Sequence, residues 1–256
     1  MGENDKQFSD YLLIYKKMKE VGELTSKCLN ELSDFIKPGV KTIDVDHFVR
    51  NFANNYSLIC ACDGYRGFPA ACCTSVNHII CHGIPSDKTV FDGDIIKVDV
   101  TFIKDGYYGD SCRTYLVGEK INAKIRKLLD VTEHALWKGI EVAKPGNTIG
   151  DIGRTIQRFV EANGFSVVRD FVGHGIGQDF HTPPAIPHYD AKDIPDVHRI
   201  LTPGLTITIE PMVNSGQKEY KILGDGWTVV SRDRSWSAQF EHTIGITETG
   251  NEVFTI

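Results

Sequence analysis

A chain of 256 residues with 41% apolar content can bury a substantial core, as one large domain or as two fused halves, which argues against a mainly disordered polypeptide. Its formal charge of -6 offers no positive field to a phosphate backbone, so direct recognition of nucleic-acid sequence is not expected. The N-terminus shows no basic segment followed by an apolar block, and no window is apolar enough to span a bilayer. Seven cysteines, an odd number with none beyond Cys112, suit reduced thiols, so a cytoplasmic protein without a membrane partner is expected.

In chain order, helical apolar spacing predicts a long helix over 8–36 and a second over 45–55, with Pro38-Gly39 between them. Strands follow over 70–82 and 94–117, the latter divided by Asp105-Gly106, a strong hairpin signal. Helices over 121–143 and 149–163 come next, again separated by a Pro-Gly pair, and strands over 205–213 and 226–247 complete the order. Lys37-Pro38-Gly39 with Thr42-Ile43 thus returns as Lys144-Pro145-Gly146 with Thr148-Ile149. At nearly the same offset, Asp92-Gly93 leading to Asp99 resembles Pro203-Gly204 leading to Glu210, each a turn into a β-branched strand that ends on a carboxylate. The pattern predicts one compact α+β domain over 1–256. Its packed halves, about 8–118 and 121–256, face each other across a pseudo-twofold axis that brings Asp99 and Glu210 together.

A two-residue turn at Asp105-Gly106 sets Asp99 opposite Cys112 and makes Asp110 a diagonal neighbour on the same face. Aspartate pairs on hairpins are often solvated surface groups, but two carboxylates at close range repel, and a shared cation relieves the repulsion. Glu210, ahead of Pro211, and Glu241, within the apolar run 238–244, are costly to bury without a partner. His174 sits in Gly173-His174-Gly175-Ile176-Gly177, either a flexible turn or a place where glycines keep crowding off an imidazole ligand. His181 follows at an odd offset, which on one regular strand turns the two rings to opposite faces; one is then expected as a ligand and the other as a substrate contact. Asp99, Asp110, His174, Glu210 and Glu241 form an oxygen-rich set suited to a pair of Mn(II), Fe(II), Co(II) or Zn(II) ions, with open positions for a water activated to hydroxide. Cys60-x-Cys62 and Cys72-Cys73 are poorly spaced for structural zinc and read as buried or pocket-lining thiols.

Taken in order, Cys81-His82-Gly83-Ile84-Pro85, Asp99 with Asp110, Gly173-His174-Gly175-Ile176-Gly177, His181, Glu210-Pro211 and Glu241-His242 resemble the signature of the methionine aminopeptidases, in their short bacterial type I form. The likeness spans nearly the whole chain. It implies a pita-bread fold with two pseudosymmetric halves and release of N-terminal methionine from nascent proteins and peptides. Among the metal ligands, it implies that Asp99 holds one metal through both oxygens, Asp110 and Glu241 bridge, and His174 with Glu210 completes the other site. It makes Glu210 a candidate proton carrier, His181 a hydrogen-bond donor to the scissile carbonyl or its oxyanion, and His82 a contact to the amide nitrogen or leaving group. Cys62, Tyr65, Phe68, Cys73, Phe180 and Trp227 match the family's methionine pocket, whose aromatic and thiol lining suits a thioether. Asn77, Ile79 and Ser237 match its monovalent-cation loop. One departure is Arg66, where many relatives carry histidine, which bears on the pocket rim. A monomer is expected, with the ribosome exit region as a candidate partner. The rival readings are a prolidase or proline aminopeptidase of the same fold, a metal-free pita-bread module that binds peptides, and a two-metal phosphoesterase. The last is disfavoured by the acidic charge and the lack of a phosphate cradle.

Overall fold

The computed structural model describes residues 3–120 and 122–256, with side chains from Tyr11 onward. The first half contains α1 (Glu3–Phe35), α2 (Thr42–Asn55), β1 (Ile59–Cys60), β2 (Cys73–Val76), β3 (Ile79–Cys81), β4 (Ile95–Lys104) and β5 (Tyr107–Leu116). The second begins with α3 (Ala123–Val142), α4 (Ile149–Ala162), β6 (Ser166–Val167), β7 (Gly173–Gly175) and β8 (Thr182–Ile186). It continues with β9 (Thr206–Ile209), β10 (Met212–Asn214), β11 (Tyr220–Ile222), β12 (Val229–Ser231), β13 (Ser237–Gln239), β14 (His242–Ile246) and β15 (Asn251–Val253). The helix expected from 121 is α3; Ile121 lies outside the described residues.

Two apolar cores hold the halves. Along β4, Ile96, Val98, Val100 and Phe102 are fully buried and pack with Val21, Leu29, Leu32, Val45 and Val49 of α1 and α2. Because strand side chains alternate, Lys97, Asp99 and Thr101 are committed to the opposite face, toward the other half. In that half, α3 and α4 cover Ile207, Ile209, Ile244 and Ile246 of β9 and β14. Each fully buried aliphatic side chain contributes about 1.5–3 kcal/mol, a reserve large enough to tolerate ionisable groups between the two cores.

The sequence repeat is visible in the chain path. Gly39 (φ 98°) and Gly146 (φ 87°) turn the chain after α1 and α3 through a backbone region that side chains resist. Lys41 then bridges Thr89 and Thr148 bridges Ile200, each an isolated antiparallel pair. At both following helix starts a carboxylate reaches back: Asp44 accepts from the Lys41 amide (3.1 Å) and Asp151 from the Thr148 amide (2.8 Å). α2 and α4 both then run for 14 residues. This is the pseudosymmetric pita-bread arrangement, α+β with antiparallel sheets backed by helices.

Among the described residues the strands form four sheets. β4 is central to a sheet with β1, β2 and β5; β8-β7-β9-β14-β15 make a five-stranded sheet; β6-β10-β13 and β3-β12-β11 make two three-stranded ones. The region 226–247 holds three strands, with β12 ending at Ser231 and β13 starting at Ser237. The run 205–213 breaks at Glu210-Pro211, and β13 and β14 are parted at Phe240-Glu241, so Glu241 lies between them rather than inside one strand. Both interruptions have one cause: β9 and β14 pair in one sheet while their continuations β10 and β13 pair in another. Pro211 marks the change on one side, having no N–H for a ladder. The segment 70–82 contains only β2 and β3, with the chain turning between them at Asn77 (φ 51°).

Candidate active site

The hairpin delivers two carboxylates. Asp105 and Gly106 both take positive φ (50° and 79°), the two-residue turn that matches strand twist. Asp99 consequently pairs with Cys112 and Asp110 with Thr101, whose hydroxyl donates to Asp110 Oδ1 (2.7 Å). Hydrogen bonds then lace β5 to the other half: Ser111 Oγ donates to the Glu241 carbonyl (2.6 Å), the Glu241 amide to the Cys112 carbonyl (2.9 Å), and Thr243 Oγ1 to the Asp110 carbonyl (2.8 Å). Ligand atoms of Asp110, His174 and Glu241 thereby lie within 4.8 Å of one another.

Glu210 completes the cluster at the end of β9. Thr208 Oγ1 donates to its Oε1 (2.9 Å), Gln239 Nε2 lies 3.4 Å from its Oε2, and its amide donates to Nε2 of the fully buried His188 (3.0 Å). His174 Nδ1 is 3.0 Å from the Gly175 carbonyl, which can only accept, so Nδ1 carries a proton. Nε2 then faces Asp110 Oδ2 (3.6 Å) and Glu210 Oε1 (3.7 Å). A bare lone pair aimed at two carboxylates is unfavourable and calls for a cation, either a proton or a metal ion.

The electrostatics agree with that demand. Burial, then the charge of Asp110, pushes Asp99 and Glu241 well above the usual carboxylate range. Glu210 is pushed up to about 7 by burial, with Asp110 adding to the rise and His174 opposing it. Burial alone would push His174 down, but Asp110 and Glu210 carry it above its ordinary value. Asp99 keeps some solvent contact through the cavity, although protein atoms surround it at depth. Asp99, Glu210 and Glu241 resist ionisation in this setting unless a cation is present, and the oxygen-rich set with one imidazole fits divalent metal.

A cavity of about 420 Å³ opens onto all five side chains. Its other wall is apolar: Cys62, Phe68, Cys73 and Phe180 form a buried cluster against which Tyr65 and Trp227 pack. Phe68 meets Trp227 edge-on at 5.2 Å, and Tyr65 tilts on Phe180 at 4.8 Å. His82, with positive φ (55°), lines the cavity edge-on to Trp227 and Phe171, and burial lowers its pKa. Burial, followed by His174, pushes His181 down to about 4.

His181 lies beside His174, ring centroids 4.1 Å apart, which overturns the expectation that they face opposite ways. The offset rule presumes one continuous strand, whereas β7 ends at Gly175 and the chain reverses before β8 starts at Thr182. His181 also stacks on Tyr65 at 5.2 Å, at the seam between carboxylates and apolar wall.

Asn77, Ile79 and Ser237 lie away from this cavity. The Asn77 and Ser237 carbonyls both accept from Lys97 Nζ, at 3.1 and 2.5 Å, while Ile79 pairs with Val230 in the β3–β12 ladder. Lys97 escaped the sequence reading, as did Thr101, Thr208, Gln239, Thr243 and His188, which fix the carboxylates. The available signals were a lysine inside an apolar strand and hydroxyl residues two positions from an acid.

Metallopeptidase family M24 matches residues 16–248. Methionine aminopeptidase A of Synechocystis is 49% identical over 242 residues, 94% of each chain. The crystal structure of methionine aminopeptidase from Rickettsia prowazekii is similar with a TM-score of 0.91 at 45% identity, covering 95% of this chain and 97% of that one. The Xaa-Pro dipeptidase from Bacillus anthracis shares the fold, with a TM-score of 0.73 at 23% identity, over 94% of this chain and 59% of that one.

Proposed function

The chain belongs to metallopeptidase family M24, and we propose that its cavity works as the active site of a methionine aminopeptidase in which all five clustered side chains hold metal. It is a metal-dependent exopeptidase that removes the N-terminal methionine of peptide chains. The observation that carries the residue-level reading is the contiguity of a buried carboxylate cluster with an aromatic and thiol wall in one cavity.

Asp99, Asp110, His174, Glu210 and Glu241 are the proposed ligands of two divalent ions, drawn from Co(II), Mn(II), Fe(II) and Zn(II). Such ions lower the pKa of bound water and polarise a carbonyl. Around them, Cys62, Tyr65, Phe68, Cys73, Phe180 and Trp227 are assigned to the methionine side chain, which they grip by dispersion and sulfur–aromatic contact. His181, uncharged near neutral pH, presents an N–H to the scissile carbonyl and the oxyanion it becomes. His82, braced by Trp227 and Phe171, is assigned to the amide nitrogen or leaving amine. Glu210, with both oxygens oriented by Thr208 and Gln239, carries the proton from attacking water to that amine.

The described residues include no helix long and apolar enough to cross a membrane, and all seven cysteines are free. Free thiols support a reducing compartment, and the reading places a monomer in the cytoplasm, meeting new chain ends near the ribosome exit.

Metal-reconstituted protein should release methionine from Met-Ala-Ser and leave Xaa-Pro peptides intact. Cleavage of the proline substrates alone would favour the proline-specific rival. No release with any of the four metals would return the fold to a binding module.

A further inference from the structure

Lys97 is buried near the start of β4, two residues before Asp99, and forms no ion pair among the described residues. Burial lowers its pKa to about 7, because a charged amine in that position loses several kcal/mol of hydration unless polar groups replace its water. Two main-chain carbonyls do so, those of Asn77 and Ser237.

Both carbonyls are held in place by other bonds. Asn77 takes left-handed backbone (φ 51°), its side-chain Oδ1 accepts from the Ile95 amide (2.9 Å), and its Nδ2 donates to Asp94 Oδ1 (2.8 Å), clamping it to the start of β4. Its carbonyl also accepts from the Ser237 amide (3.0 Å), so the two residues are joined to each other. Ser237 opens β13, which runs to the break that carries Glu241. A carbonyl cradle of this kind is what an alkali cation takes, and the resemblance implied one here. In this chain two of the three implied groups already serve an ammonium, so a free ion does not fit beside it.

We propose that the Lys97 ammonium is a built-in monovalent cation, filling the Asn77 and Ser237 cradle and fixing the strand of Asp99 against the strand that leads to Glu241 without sodium or potassium from solution. Lys97 is therefore a positioning residue that acts on the metal centre through the backbone.

The test compares holoenzyme and metal-depleted protein in choline, sodium and potassium chloride at pH 6 and equal ionic strength, by melting temperature and by calorimetric titration with Mn(II). Wild type should show the same melting temperature in all three salts and Mn(II) affinities within about twofold. Lys97→Asn empties the cradle; its Mn(II) affinity in choline should fall about 10–100-fold and recover saturably with potassium or sodium. Lys97→Met fills the space without charge or donors, so it should lose affinity and not recover. A saturable response of wild type to sodium or potassium overturns the proposal, and that arm needs no variant. So does a Lys97→Asn protein indifferent to alkali cations, or a Lys97→Met protein that binds Mn(II) as wild type does. The melting arm stands whether or not the protein releases methionine, so its failure is distinct from failure of the peptidase reading.

Discussion

Glu210 stands opposite Glu241 where two paired strands leave one sheet for another. Ile209 pairs with His242 before the break and Met212 with Gln239 after it, in the same register, so the two glutamates occupy facing positions from which ladder bonding has been withdrawn. Freed from the ladder, the Glu210 amide turns to His188 and the Glu241 amide to Cys112 of the first half. Asp110 reaches the same space from β5. The site is thus built where the sheets part, and each half contributes carboxylates that neither could bury alone.

Asp110 sits between Glu241 and His174, and Asp110→Asn is expected to lower metal stoichiometry below two ions while keeping the Thr101 hydrogen bond. Turnover should fall at least about a hundredfold, and metal-free protein should melt no lower than wild type, because a repelling charge has been removed. Metal analysis beside calorimetry checks both; two tightly bound ions in the variant would end the bridging assignment.

Metal removal should expose a pH dependence. Asp99, Glu210 and Glu241 hold protons more tightly in the fold than in the unfolded chain, so the stability they contribute is present at low pH and lost as pH rises through their raised values. His181 and His188, lowered to about 4 and about 3, act oppositely, adding stability as pH climbs toward their ordinary 6.5. Above 6.5 the histidine contribution levels off; Lys97, whose pKa burial lowers to about 7, adds stability there as pH rises, but one group does not offset three carboxylates. Between pH 6.5 and 8 the metal-free protein should therefore melt at progressively lower temperature, while bound ions remove the decline. A gap between loaded and metal-free melting temperatures that narrows over this range would contradict the cluster's electrostatics.

Much of this arrangement is legible locally. Asp105-Gly106 determines the hairpin register, and period two then puts Asp99 and Asp110 on one face. Pro-Gly and the recurring threonine mark both helix pairs, because glycine is tolerated where the chain leaves a helix with positive φ. What stays hidden depends on distant partners. Phe240-Glu241 carries no breaker of its own, and its strand ends only because β9 and β10 diverge. His174 and His181 meet through a reversal that a spacing rule cannot register. Lys97 binds a carbonyl 140 positions away, so nothing beside it in the chain announces its role.

His181 touches His174 but is assigned to the substrate, and His181→Ala should separate these roles. Loss of one donor to a developing oxyanion costs about 10²–10³ in kcat. Bound metal, measured on the same sample, should remain at the wild-type level. Loss of an ion together with activity would make His181 a ligand instead.

Gly22 offers a stability test away from the chemistry. It lies inside α1, where alanine ordinarily favours the helix by about 1 kcal/mol. A Cβ there would meet the Phe254 carbonyl closer than real contacts allow, and Phe254 is fully buried against Tyr15, ring centroids 5.0 Å apart. Overpacking of this kind costs about 1–3 kcal/mol, and backbone cannot yield as a flexible side chain can. Gly22→Ala should therefore be destabilising by up to about 2 kcal/mol net, a drop of several degrees in Tm. Calorimetric melting of metal-loaded protein checks this, with metal content expected to stay unchanged because α1 reaches the site only through the core. A higher Tm would mean that α1 can retreat from the C-terminal segment, and that helix propensity outweighs close packing at this contact.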